Sequence, residues 1–140
     1  EDAVEIPRGT GSILFVDDRP DTVRIFREAL AENYRVFLAT SGQEAIDRTQ
    51  RGKLVDLVIL DLRMPGVDGF AVLDALRGDD RTAHIPVLVL TAEEVTAAER
   101  ETINSAGIFR KDVIDGEHLL HQVAQQFAPL TGESTDQNGR

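Results

Sequence analysis

Leu54-Val55-Asp56-Leu57-Val58-Ile59-Leu60-Asp61-Leu62-Arg63-Met64-Pro65-Gly66-Val67-Asp68-Gly69 decides the fold. Its first half is a nearly unbroken apolar run, and its second half is an acid followed by turn residues. Runs of this kind suit parallel strands covered on both faces, because neither side of such a strand meets water. A second run, Ile13-Leu14-Phe15-Val16, also ends in acid, at Asp17 and Asp18. In open parallel sheets the ligand crevice lies beyond the carboxyl ends of the strands, so Asp17, Asp18 and Asp61 are expected to converge on one edge.

Working outward, Ser12 to Val16 reads as the first strand, followed by a helix with Pro20 in its first turn and Val23, Phe26, Ala29 and Leu30 at helical spacing. Tyr34 to Leu38 reads as the second strand, and Ser41 with Glu44 as a capping box for a helix reaching about Arg51. Leu54 to Leu60 is the third strand and Phe70 to Arg77 the third helix, with Phe70, Leu73 and Leu76 on one face. Val87 to Leu90 is the fourth strand, after Pro86 and ending at Thr91-Ala92. A helix capped by Thr96 and Glu99 is expected to run to Ser105 and stop at Gly107. Ile108 to Lys111 forms a fifth strand, and the last helix buries Leu119, Leu120, Val123, Ala124 and Phe127.

Alternating strands and helices predict an α/β domain, a five-stranded doubly wound parallel sheet with helices on both faces. Ordered 2-1-3-4-5, in the flavodoxin-like manner, it has its switch point between the first and third strands, where the three acids lie. The expected organisation is an N-terminal tail over 1–11, a single domain over 12–128, and a C-terminal tail or linker over 129–140. A start at Glu1 and a polar last stretch are expected of a piece of a longer protein.

Composition narrows the chemistry. The chain has 140 residues, enough for one core of ordinary size, and a formal net charge of −10. That charge repels phosphate backbones and anionic membranes, so neither nucleic acid nor a membrane is an expected direct partner. Without cysteine there are no disulfides or thiolate metal sites. No apolar stretch approaches the ~20 residues that span a bilayer. A reducing, cytoplasmic setting fits.

Carboxylates crowded on one edge repel one another, and a divalent cation relieves the repulsion. Oxygen ligands without sulfur or clustered histidine favour Mg²⁺ or Mn²⁺, and Mg²⁺ keeps several waters beside one or two carboxylates. One carboxylate then remains as a nucleophile, and aspartate attacking phosphorus gives an acyl phosphate. The plainer readings are that Asp18 caps the first helix, that Asp56 marks a strand start outside the site, and that His84, His118 and His121 are solvated.

Val16-Asp17-Asp18, the Asp61 to Gly69 segment, Thr91-Ala92 and Lys111 together resemble the receiver domain of bacterial two-component response regulators, the CheY-like family. The resemblance runs from about Ser12 to Ala128. It implies Asp61 as phosphoacceptor, Asp18 as main metal ligand with Asp17 assisting, and the backbone carbonyl of Arg63 completing the protein's share of Mg²⁺ coordination. Thr91 would donate its hydroxyl to the phosphoryl group and Lys111 would pair with it. The implied partners are a histidine kinase or histidine phosphotransfer protein and an output domain or downstream protein outside this chain, with homodimerisation left open. It implies a switch that catalyses its own phosphorylation and dephosphorylation without turning over another substrate. An Arg63-Glu93 ion pair across the path of water to the acyl phosphate would prolong the signal.

The chain departs from that family in having Asp112 where proline usually follows the lysine, a shorter stretch from Thr91 to Lys111, and Ile108 where an aromatic residue is usual, with Phe109 one place on. These departures keep alive a pseudo-receiver that binds partners without phosphorylation. A phosphatase working through an aspartyl phosphate wants a second acid two residues after the nucleophile, and that place is Arg63.

Overall fold

The computed structural model describes residues 11–51, 54–103 and 105–127. In chain order the elements are β1 (Ser12–Val16), α1 (Pro20–Ala31), β2 (Arg35–Ala39), α2 (Gly42–Gln50), β3 (Leu57–Leu60), α3 (Gly69–Arg77), β4 (Val87–Thr91), α4 (Ala97–Thr102), β5 (Gly107–Arg110) and α5 (Gly116–Phe127). The strands form one sheet in the order β2-β1-β3-β4-β5, and every pairing is parallel. The doubly wound sheet with order 2-1-3-4-5 is therefore present as expected.

Strand side chains alternate between two cores, as a period of two requires. Leu14, Val16, Val58, Leu60, Val87 and Val89 face one core, which Ala45 of α2 and Val72, Leu73 and Leu76 of α3 close. Ile13, Phe15, Leu57, Ile59, Leu88 and Leu90 face the other, closed by Phe26 and Leu30 of α1 and Leu119, Val123 and Phe127 of α5. Burying an aliphatic or aromatic side chain of this size stabilises by about 2 kcal/mol, so the three central strands dominate the stability of the fold.

Several boundaries differ from the sequence reading. β2 starts one residue late, at Arg35, because Tyr34 ends the α1 turn, its N–H donating to Leu30, and its ring stacks on Phe127. β3 begins at Leu57 rather than Leu54: Leu54 is exposed, and the Asp56 carboxylate accepts from the Ser12 N–H at 2.9 Å and lies 3.2 Å from its hydroxyl. Asp56 thus ties the starts of two strands, far from the acidic edge. α4 ends at Thr102, not Ser105, and Gly107 opens β5 instead of closing a helix. Lys111 lies just beyond β5 rather than within it, and Leu120 and Ala124 of α5 are only half-buried. The expected tails, 1–11 and 129–140, lie outside the described residues apart from Gly11, which is buried.

Two close approaches set the loops at the carboxyl edge. A Cβ on Gly69 would stand 2.4 Å from the Asp61 carbonyl oxygen and 2.6 Å from Leu62 Cα. Only glycine lets α3 begin against the end of β3. Gly42 plays the same part for α2, where a Cβ would strike the Val67 backbone. Gly66, at φ +73°, takes the left-handed conformation that closes the intervening turn.

Candidate functional site

β1, β3, β4 and β5 finish at one edge of the sheet, and the residues at or just past their ends make the site. The Asp17 N–H donates to the Ala39 carbonyl at 3.0 Å, the Asp61 N–H to Val16 at 3.0 Å, and the Lys111 N–H to Thr91 at 2.8 Å. These bonds extend the ladder by one residue at each point and fix the backbones from which Asp17, Asp61 and Lys111 project.

Asp17, Asp61 and Thr91 are buried, at 0%, 2% and 1% exposure, although each is polar. Burial of such groups is costly unless they are paired. Asp17 is paired through both oxygens: Oδ1 accepts from the Arg19 N–H at 2.9 Å, and Oδ2 lies 2.7 Å from Lys111 Nζ. The Lys111 contact is an ion pair whose angles fall outside those of a hydrogen bond. The same ammonium stands 3.4 Å from Asp61 Oδ2. Asp61 Oδ1 accepts from the Arg63 N–H at 3.3 Å. Thr91 Oγ1 accepts from the Glu93 N–H at 3.3 Å, which leaves its own hydrogen available to donate.

Desolvation holds the Asp61 carboxyl above the ordinary value of 3.8. Asp17 pushes it the same way, while Lys111 and the Arg63 N–H pull against burial without overcoming it. A raised pKa on a buried carboxylate at a strand end is a mark of a functional group.

Asp18 does not cap α1. The N-cap is Arg19, without a side-chain cap, and the oxygen that serves this turn belongs to Asp17. Asp18 Oδ1 is shielded from water and has no hydrogen-bond partner among the described residues. Asp17, Asp18 and Asp61 each offer a carboxylate oxygen within 4.8 Å of the others. A partnerless buried oxygen beside two further carboxylates fits a hard divalent cation, which takes oxygen ligands and offsets their repulsion. A cleft of about 330 Å³ opens beside Asp17 and Asp18, between Pro20, Val23 and Arg27 of α1 and Thr40.

The fold therefore brings together all six residues singled out in the sequence. The Arg63 side chain makes the expected ion pair with Glu93 and adds a shorter, unexpected one with Glu99. Its guanidinium reaches Glu93 only at 3.6 Å, but grips both oxygens of Glu99 at 3.0 and 3.1 Å and lies over the Phe70 ring at 5.8 Å. Glu99 was legible only as half of a capping box, a role it does fill, since Thr96 and Glu99 cap α4 reciprocally. Its pairing with a residue 36 positions away leaves no periodic signal. At Ser41 the box is incomplete: the hydroxyl accepts from the Glu44 N–H, but the Glu44 carboxylate takes the Thr40 N–H. Where proline was expected, Asp112 binds the Arg110 guanidinium through both oxygens at 3.1 and 2.7 Å and braces the turn that carries Lys111. Ile108 packs toward the α3 core and Phe109 toward the α5 core, with its ring edge-on to His118. His84, His118 and His121 are exposed, and the last two contact Gln122 and Gln125. Among the described residues no helix is long and apolar enough to cross a membrane.

Known proteins resemble this chain in sequence and fold. The response regulator receiver domain family model matches residues 13–125. Response regulator PleD of Caulobacter vibrioides is 44% identical over 81 residues, which are 57% of this chain and 18% of that protein. A probable cyclic di-GMP phosphodiesterase of Vibrio cholerae is 38% identical over 82 residues, 59% of this chain and again 18% of the relative. This chain thus spans less than a fifth of the length of these two relatives. The polar-differentiation response regulator DivK of Brucella ovis is 33% identical over 99 residues, covering 70% of this chain and 79% of that one. Among solved structures, the chemotaxis protein CheY4 of Vibrio cholerae superposes with a TM-score of 0.74 at 26% identity, over 82% of this chain and 97% of its own. With its sheet order, its acidic edge and a family match over most of its length, the chain belongs to the response regulator receiver domain family of two-component signalling.

Proposed function

We propose that this domain, over residues 12–128, is a phosphorylation-switched module that accepts a phosphoryl group on Asp61. The observation that carries the reading is the Asp61 carboxylate itself: buried at a strand end, raised in pKa, and 3.4 Å from an ammonium that already has a second acid to hold it. The donor is a phosphohistidine on a histidine kinase or histidine phosphotransfer protein. An Asp61 oxygen attacks phosphorus, the N–P bond breaks as the O–P bond forms, and the imidazole leaves with its electron pair and takes a proton.

Lys111 supplies positive charge to the arriving phosphoryl oxygens, and Thr91 donates its free hydroxyl hydrogen to one of them. Asp18 and Asp17, with Asp61 and the Arg63 carbonyl, are the residues that would hold Mg²⁺. When bound, the ion neutralises charge on the phosphoryl oxygens. Because the protein contributes positioning and charge, it performs its own phosphorylation and dephosphorylation and turns over no other substrate. The phosphatase alternative lacks its general acid, since the Arg63 side chain is a guanidinium held by Glu99. The setting is cytoplasmic, and the output lies in a further domain or downstream protein.

Incubation with acetyl phosphate and Mg²⁺, followed by intact mass measurement, tests the reading. One added phosphoryl group is expected. No added mass would make the chain a pseudo-receiver that works by binding alone.

A further inference from the structure

β5 is short, at four residues, and each of them is only half-buried. It lies at an edge of the sheet and pairs, among the described residues, with β4 alone. The bond that continues its ladder, from the Lys111 N–H to the Thr91 carbonyl at 2.8 Å, comes one residue past its end. The side chain that leaves there is nonetheless closely confined. Lys111 is 10% exposed, with its ammonium 2.7 Å from Asp17 Oδ2 and 3.4 Å from Asp61 Oδ2. A lysine stem loses much rotamer freedom when its head is held at one point, and the loss is smaller where the backbone beneath it is already set.

Two kinds of contact set that backbone. The Arg110 carbonyl accepts from the Val113 N–H at 3.1 Å and from the Ile114 N–H at 3.0 Å, and Ile114 is buried with Phe26 of α1 and Leu119 of α5. These bonds close the turn at its ends. Across its middle, Arg110 Nε donates to Asp112 Oδ1 at 3.1 Å and the terminal Nη2 to Oδ2 at 2.7 Å. Residues two apart that grip each other share one side of the chain, and the residue between them is turned to the other, as along a strand. A guanidinium and a carboxylate joined by two parallel bonds fix orientation as well as distance. Both residues are exposed enough for the pair to add little to global stability, so its effect is geometric.

Resting on the proposed phosphorylation of Asp61, we infer that Arg110 and Asp112 form a positioning clamp on the outer side of the turn that keeps Lys111 directed into the phosphoryl site. Neither residue touches the reacting atoms. Each acts through the backbone of Lys111. Without the clamp the middle of the turn rotates, and the ammonium spends part of its time in water, where it gives no charge to the arriving phosphoryl oxygens. A misplacement of about 1 Å costs on the order of 100-fold in rate. The backbone bonds to Arg110 remain, which limits the expected loss to severalfold.

Wild type, Asp112→Asn, Arg110→Gln and the double variant are to be incubated with acetyl phosphate and Mg²⁺, with the initial rate of phosphoryl uptake read by intact mass. The same four proteins, without donor, are treated with an amine-selective acetylating ester and mapped by peptide mass. Lys53, the only other lysine of the chain, is the internal reference. Each single variant is expected to take up phosphoryl severalfold more slowly and to acetylate Lys111 severalfold faster than wild type, at an unchanged urea midpoint, and the double variant to do no worse than either. Local charge alone would move the two single variants in opposite directions, since one loses an anion and the other a cation. A clamp moves them the same way and without additivity. Opposite or additive effects, wild-type uptake or wild-type Lys111 acetylation in either single variant, or a fall in urea midpoint that matches the loss of uptake would each overturn the clamp while leaving phosphorylation of Asp61 standing. Failure of the wild type to take up phosphoryl would overturn both.

Discussion

At the scale of single residues, Asp61 is caught between two demands. As a nucleophile it must be ionised, yet burial raises its pKa above the ordinary 3.8 and Asp17 adds to the effect. A carboxyl whose folded pKa is raised is most favourable to the fold below its unfolded pKa, and that contribution is lost as pH rises through the folded value. Asp61→Asn removes this penalty along with the nucleophile. The variant is therefore expected to take up no phosphoryl group from acetyl phosphate, and in metal-free buffer to be more stable than wild type at neutral pH. The gap should vanish on acidification below the ordinary carboxylate range. Intact mass reads the first effect, and urea unfolding across pH reads the second. Phosphoryl uptake by the variant would remove Asp61 from its role.

At the scale of elements, the loops matter because of how closely helices approach strand ends. The first turn of α3 sits on the Asp61 carbonyl, leaving no room for a Cβ at position 69. Gly69→Ala must push α3 and the Asp61 loop apart. The expected cost is about 1–3 kcal/mol of stability, by the overpacking rule, with slower phosphoryl uptake because Asp61 shifts against Lys111 and Thr91. Urea unfolding and the rate of mass gain measure the two effects, and an unperturbed variant would mean that the approach is looser than it stands here. α4 is the opposite case. None of its residues is buried, and its order depends on its capping box, on Ile103 and Val95 at its flanks, and on the grip of Glu99 on Arg63.

At the scale of the molecule, carboxylates of an acidic protein collect on one edge of the sheet, and the fold bears their repulsion. A cation bound there in the folded state alone raises stability by mass action. Mg²⁺ at about a hundred times its dissociation constant is expected to stabilise wild type by about 2.7 kcal/mol, and Asp18→Ala, which loses the partnerless oxygen, much less. Thermal unfolding with and without Mg²⁺, with Ca²⁺ as a control for size, checks this. An equal shift in wild type and Asp18→Ala would place the ion elsewhere.

Apolar patterning along the chain was enough to establish the sheet, its parallel sense and the edge on which the acids meet. Near-continuous apolar runs report two-sided burial, and a strand that ends in acid reports where that burial stops. It also brought out Asp17, Asp18, Asp61, Thr91 and Lys111, because each stands at or just beyond the end of such a run. Boundaries such as Leu54 and Ser105 were not legible: an apolar or helix-forming residue says what it prefers, and neighbours from distant parts of the chain decide whether it is paired. Folding was needed to reveal that Lys111 is shared between Asp17 and Asp61, that Asp17 rather than Asp18 serves the α1 turn, and that Arg63 pairs most closely with Glu99. Periodicity records which face of an element meets the core. A charge choosing among partners brought within a few ångströms is decided by distance and burial, which the chain acquires only when folded.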